Sequence, residues 1–238
     1  MQRIYLSDFD SQSEIIQIKD TEIIHQLTKV LRSRVGDKIS IFNGKDSQDH
    51  IFEIIELAKR EISIKKESHL ENNSEISFEL SLYNWMPNKL EKVEYMLQKG
   101  TEIGFTKFCF FRTERSQKLN LSPNKIQRLE KIIIEAAEQS GRAKIPELIF
   151  EEDFDIKHLP QWENIFFHTK NDKSIEINKI DPKIDSKINL FVGPEGGWSD
   201  SEVEILETQT HRVHLGNRIL RTETTWIVTG FFLIQKSA

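Results

Sequence analysis

Two glycine-bearing segments combine residue types and spacing suited to holding a small molecule. Val192-Gly193-Pro194-Glu195-Gly196-Gly197-Trp198 follows an apolar strand-like run, and Leu215-Gly216-Asn217-Arg218-Ile219-Leu220-Arg221-Thr222-Glu223-Thr224 follows another. Each leads into a helical pattern. In α/β folds, ligands sit in the crevice past the carboxyl ends of parallel strands. Glycine there lets the backbone approach a ligand and present its own amide donors and carbonyl acceptors. Two such loops read as two walls of one site, whereas Gly193 to Gly197 alone would also suit a tight turn with positive φ. The chain lacks G-x-x-x-x-G-K-[ST] and any early G-x-G-x-x-G, which excludes a triphosphate cradle and argues against a dinucleotide fold. Cys109, the single cysteine, lies in Phe108-Cys109-Phe110-Phe111 and reads as a packed hydrophobe rather than a nucleophile. His211 and His214, three apart on a strand-like run, face opposite ways, so no metal site is expected.

The elements that must position these loops are legible as a rhythm. Residues 1–66 read as a small β-rich unit with one helix, whose inward face is Ile23, Ile24, Leu27, Val30 and Leu31. Lys38 to Phe42 alternates as a strand, Asn43-Gly44 marks a hairpin, and 51–56 and 62–65 supply further strands. Residues 67–75 are polar and unpatterned, which predicts a linker. From Ile76 onward strands and helices alternate. Asn88 with Glu91 is expected to cap a helix that stops at Gly104. Ser122-Pro123 opens a second helix with Gly141 just past its end. Ser199 with Glu202 forms a capping box, and Thr222 to Gln235 is the last helix. The pattern predicts an α/β domain around a mostly parallel sheet.

With 238 residues the chain can bury a sizeable core as one large domain or two small ones. No apolar run is long enough to span a bilayer, and the N-terminus lacks the apolar core of a signal peptide. A lone cysteine makes a reducing cytoplasm the default. The net charge of −5 is unevenly spread: residues 89–144 hold 12 Lys/Arg against 7 Asp/Glu, and 145–210 hold 6 against 15. A cationic face for nucleic acid can therefore exist within an acidic chain, although mixed charges on a solvated surface give the same count.

Taken together, the two loops and Ala136-Ala137-Glu138-Gln139-Ser140-Gly141-Arg142 resemble the bacterial 16S ribosomal RNA (uracil-N3) methyltransferases of the SPOUT superfamily. Gln98 to Gly104, Arg115-Ser116-Gln117, His25, Val30-Leu31-Arg32, Gly36-Asp37 and Asn43-Gly44 fit the same pattern, so the resemblance runs through the whole chain. It implies an N-terminal PUA-like β-barrel for RNA (1–70) and a trefoil-knotted methyltransferase domain (75–238). It also implies S-adenosyl-L-methionine as methyl donor, 16S rRNA or the small ribosomal subunit as partner, and a homodimer with neither metal nor membrane. The chain departs from the family's usual residues at Asn217 and at Trp226. A related enzyme acting on another RNA, or an inactive RNA-binding assembly factor on the same fold, would use the same architecture; intact glycine loops speak against the latter.

The resemblance assigns roles residue by residue. Donor contacts fall to Gly193, Pro194, Glu195, Gly196, Gly197, Leu215, Gly216, Asn217, Ile219 and Leu220, with His168 and Thr169 as a third wall. Glu195 is the candidate general base, or a structural acceptor of loop amides. Arg142 would hold the target phosphate or stabilise a uracil oxyanion, or else complement a helix end. Arg221 would contact RNA or pair with Glu223. Glu102 and Glu138, on helices, default to solvated or ion-paired roles. Arg32, Arg34, Lys38, Arg112 and Arg115 are the expected phosphate contacts.

Overall fold

The computed structural model describes residues 1–112, 121–152, 154–160, 162–168, 174–194 and 196–237. Its chain divides into two compact units, Met1–Glu75 with Ala137–Ile145, and Ile76–Ala136 with Pro146–Ala238. The first unit thus contains the expected residues 1–70 and adds a return segment, Ala137–Ile145.

The first unit holds β1 (Gln2–Tyr5), β2 (Ile15–Ile18), α1 (Thr21–His25), β3 (Lys38–Phe42), β4 (Gln48–Leu57) and β5 (Ile62–Glu71), with strand order β1-β3-β4-β5-β2. β1 runs parallel to β3; the other pairings are antiparallel. Ile4, Ile18, Ile39, Ile41, Phe52, Ile54, Ile62 and Ile64 meet Ile24 and Leu27 in its core. Burying such side chains is worth about 1.5–3 kcal/mol each. α1 continues into a wider π turn over Gln26–Val30. The extra residue rotates Val30 out of the core, leaving it 65% exposed where the 3.6-residue pattern placed it inward. β5 also runs through much of the expected linker: Ser68 to Glu71 pair with the first residues of β4.

In the second unit β6 (Glu79–Trp85), α2 (Leu90–Ile103), β7 (Lys107–Phe111), α3 (Pro123–Ser140), β8 (Glu147–Glu151) and β9 (Glu163–Phe167) follow in order. After them come β10 (Ile175–Glu176), β11 (Lys187–Val192), α4 (Asp200–Gln209), β12 (His211–His214) and α5 (Thr222–Ser237). The last residues of α3 belong to the first unit. All seven strands pair parallel in the order β10-β12-β9-β11-β6-β7-β8. The central strands are nearly continuous apolar runs because both faces are covered. On one face Tyr83, Cys109, Phe111, Phe166 and Phe191 pack with Trp198 and Leu206. α5 packs against α2 and β11, and Trp226 is fully buried edge-on to Phe105, with ring centres 5.6 Å apart. The Asn88 cap does not form: Lys89 precedes the first turn of α2, with no side-chain cap.

Candidate functional site

The strand order explains the site. β12, β9 and β11 are neighbours and point the same way, so the segments leaving their carboxyl ends converge although they are far apart in sequence. They enclose a cavity of about 610 Å³, within the range of small-molecule sites.

The β11 exit forms one wall, from Gly193, Pro194, Gly196 and Gly197 to Trp198. Trp198 turns back into the core, and its indole N–H donates to the Phe167 carbonyl at 3.1 Å. The same ring lies against Gly193, where a Cβ would come within 2.8 Å of it; only glycine fits there. α4 begins directly beyond, fixed by a reciprocal cap. The Ser199 hydroxyl accepts from the Glu202 amide at 3.2 Å, and the Ser199 amide donates to the Glu202 carboxylate at 2.7 Å.

The β12 exit forms the facing wall from Leu215 to Leu220. Gly216 adopts φ +94°, a left-handed conformation that side chains disfavour, and its amide donates to His214 Nδ1 at 3.3 Å. Arg221 closes this wall: its carbonyl accepts from the amides of Thr224 and Thr225 and the Thr225 hydroxyl, starting α5. The β9 exit contributes Phe167 and His168. Among the described residues, nothing in the chain hydrogen-bonds the amides of Ile219 and Leu220. That leaves donors beside an apolar wall, the chemistry an adenosyl group needs.

Gly193, Pro194, Gly196, Gly197, Leu215, Gly216, Asn217, Ile219, Leu220, His168 and Arg221 are therefore brought together around one cavity. Glu195, Thr169 and Arg115 lie outside the described residues. Arg142 is not among the lining residues. It is only 3% exposed. Its Nε lies 2.9 and 3.1 Å from the two Glu75 carboxylate oxygens, and Nη2 lies 2.7 Å from one of them. Glu75 also accepts the amides of Ala143 and Lys144. Burial alone would raise the Glu75 carboxyl, but the Arg142 hydrogen bonds and charge and these two amides hold it below the usual range. Arg3 donates to the carbonyls of Ala137 and Arg142 and to Asp49. Glu138 accepts from the Tyr5 amide and Gln26. The glycine-arginine segment after α3 is thus a clasp within the first unit.

Arg32, Arg34 and Lys38 are exposed in the first unit, Lys38 paired with Glu67. Arg112 is exposed past β7. Glu102 pairs with Lys99 at 2.8 Å. Burial, first of all, pushes the Cys109 thiol up to about 12, which leaves it no thiolate for chemistry. Among the described residues no group of His, Cys, Asp and Glu could hold a metal, and no helix is long and apolar enough to cross a membrane. Among the lining residues that the sequence reading did not assign is Lys92 of α2, because a lysine on a charged helix face carries no signal of its own.

This fold and cavity define the class. The family profile described as RNA methyltransferase domain matches residues 74–232, and the RNA methyltransferase PUA domain matches 18–67. Among similar proteins are ribosomal RNA small subunit methyltransferases E of two bacteria. The Buchnera aphidicola (Acyrthosiphon pisum) protein is 31% identical over 95% of this chain and 90% of its own; the Bacillus subtilis protein is 32% identical over 85% and 83%. A crystal structure of the Neisseria gonorrhoeae methyltransferase E bound to S-adenosyl methionine aligns with TM-score 0.84 and 26% identity, covering 97% of this chain and 95% of that one. A methyltransferase from Legionella pneumophila, solved with its bound cofactor SAM, aligns at TM-score 0.82 and 25% identity over 98% and 96%. The chain belongs to the ribosomal RNA small subunit methyltransferase E family, with the SPOUT fold and a PUA domain.

Proposed function

We propose that this protein is an S-adenosylmethionine-dependent methyltransferase that methylates N3 of a uridine in 16S ribosomal RNA, working as a homodimer in the cytoplasm. The observation that carries this reading is the cavity at the ends of β9, β11 and β12, walled by backbone and apolar groups, in a chain whose fold matches methyltransferases solved with that donor.

The donor supplies an already activated methyl group, so the protein's work is positioning and proton removal. Backbone groups from Gly193 to Gly197 and from Leu215 to Leu220, with His168, hold the donor. Glu195, between two lining residues in sequence, takes the N3 proton. Arg221, exposed at the rim, faces the acceptor. Arg32, Arg34, Lys38, Arg112 and Arg115 supply phosphate contacts that give affinity without sequence choice. Trp226 points into the core, so its departure from the family pattern leaves the outer face of α5 intact. There Val228, Phe231 and Phe232 are exposed, an apolar strip that supports pairing with a second copy.

Mass mapping of modified uridines in 16S rRNA from cells lacking the protein tests the reading. One N3-methyluridine should disappear and return on complementation. Retention of every methyluridine would end it.

A further inference from the structure

The cavity lining is chemically mixed. Gly193, Leu215, Ile219 and Leu220 supply backbone and apolar groups, while Lys92, Arg218, Arg221 and Glu223 bring charge. Among the described lining residues these three cations stand against one carboxylate, a surplus of positive charge. That surplus does not suit a sulfonium donor, but it does suit a polyanion.

Lys92 is the member of this group whose partner is defined. It sits in the first turn of α2, and its ammonium lies 3.8 Å from a carboxylate oxygen of Glu223 in the first turn of α5. That is the loose limit of an ion pair, and each side chain is about one-third exposed (32% and 33%). Such a pair contributes little to stability. It does hold a flexible lysine over the cavity, beside an anion that another anion can replace. Among the described residues no ion pair joins Arg221, adjacent in sequence to α5, to this carboxylate.

We propose that Lys92 binds a backbone phosphate of the RNA acceptor at the cavity mouth, exchanging Glu223 for that phosphate when the RNA docks. This rests on the RNA methyltransferase reading above. It assigns a contact to the acceptor rather than the donor, and to its phosphate rather than its base.

The test is binding of 16S rRNA to the full chain across a salt series, with donor affinity measured separately by calorimetry. For Lys92→Met, RNA affinity should fall about tenfold, as loss of one charge-assisted contact implies. The slope of log affinity against log salt should shrink by about one. Donor affinity should stay within twofold, and Lys92→Arg should restore both slope and affinity. Glu223→Gln should raise RNA affinity at low salt and steepen the slope.

An unchanged RNA affinity in Lys92→Met, a weaker affinity with unchanged salt slope, or an equal loss of donor affinity would each overturn the assignment. Because binding is read directly, a wild-type protein that binds RNA without methylating it would refute the proposed activity while leaving the Lys92 contact to stand or fall on its own slope.

Discussion

The Trp198 indole and the Phe167 carbonyl, joined by a 3.1 Å hydrogen bond, fasten the loop leaving β11 to the end of β9. Two of the three strand ends that frame the cavity are thereby held in register, with Gly193 pressed against the ring between them. Gly193→Ala should force this contact apart, costing about 1–3 kcal/mol in overpacking and at least tenfold in donor affinity. Trp198→Phe should cost about 0.5–1.5 kcal/mol, the net worth of the lost hydrogen bond to the Phe167 carbonyl. Urea melts and calorimetry read both; donor affinity unaltered by Gly193→Ala would mean the wall is not a donor wall.

Glu75 and Arg142 predict an acid-sensitive first unit. The folded carboxyl lies below its unfolded value, so its stabilisation is complete above the unfolded range. It drains away as pH falls from about 4.3 through the folded value. Glu75→Gln should lose about 3–5 kcal/mol at neutral pH, since the buried guanidinium loses its counter-charge, and should show a flatter stability curve below pH 5. Parallel curves for the two proteins would contradict the pair's role.

Arg32 holds φ +54° directly after the π turn, where the Ser33 amide returns to the Leu27 carbonyl at 2.9 Å. Helix ends of this kind favour glycine, and a non-glycine residue there costs about 1 kcal/mol. Arg32→Gly should therefore leave the protein as stable or slightly more stable, yet bind RNA more weakly with a shallower salt slope. Equal RNA affinity would remove Arg32 from the interface.

Cys109 should resist thiol reagents in the folded protein at pH 8, with labelling appearing only as urea unfolds the sheet. Burial accounts for this first, and neighbouring Glu151 adds to it. Rapid native labelling would show that β7 opens to solvent.

Phe231, 57% exposed on α5, tests self-association. Phe231→Asp should convert a dimer to a monomer in sedimentation while circular dichroism stays unchanged; a monomeric wild type would refute the dimer.

Local chemistry in the sequence located the cavity well. Gly193 to Gly197, the Ser199–Glu202 cap and the glycine of the β12 exit depend on residues within a few positions of one another, so their spacing carries them. Features joined over long separations were not legible. Arg142 looked like a site residue because its partner Glu75 lies 67 positions upstream. Lys92 carried no signal because Glu223 lies on another helix. The polar half of β5 looked like linker because it pairs beyond the core, where alternation carries no signal.

The first unit's return segment, Ala137–Ile145, has a consequence for biosynthesis. Arg3, Glu75 and Asn72 each take a partner from this later segment, Glu75 most of all through Arg142. The clasp on the N-terminal unit therefore cannot close as that unit emerges from the ribosome. It must wait until Ile145 has left the exit tunnel, by which time β6, α2 and β7 are already free to form. A fragment ending at Glu75 would leave that carboxylate without Arg142, so a cut along the sequence between the two matched domains removes the clasp with it.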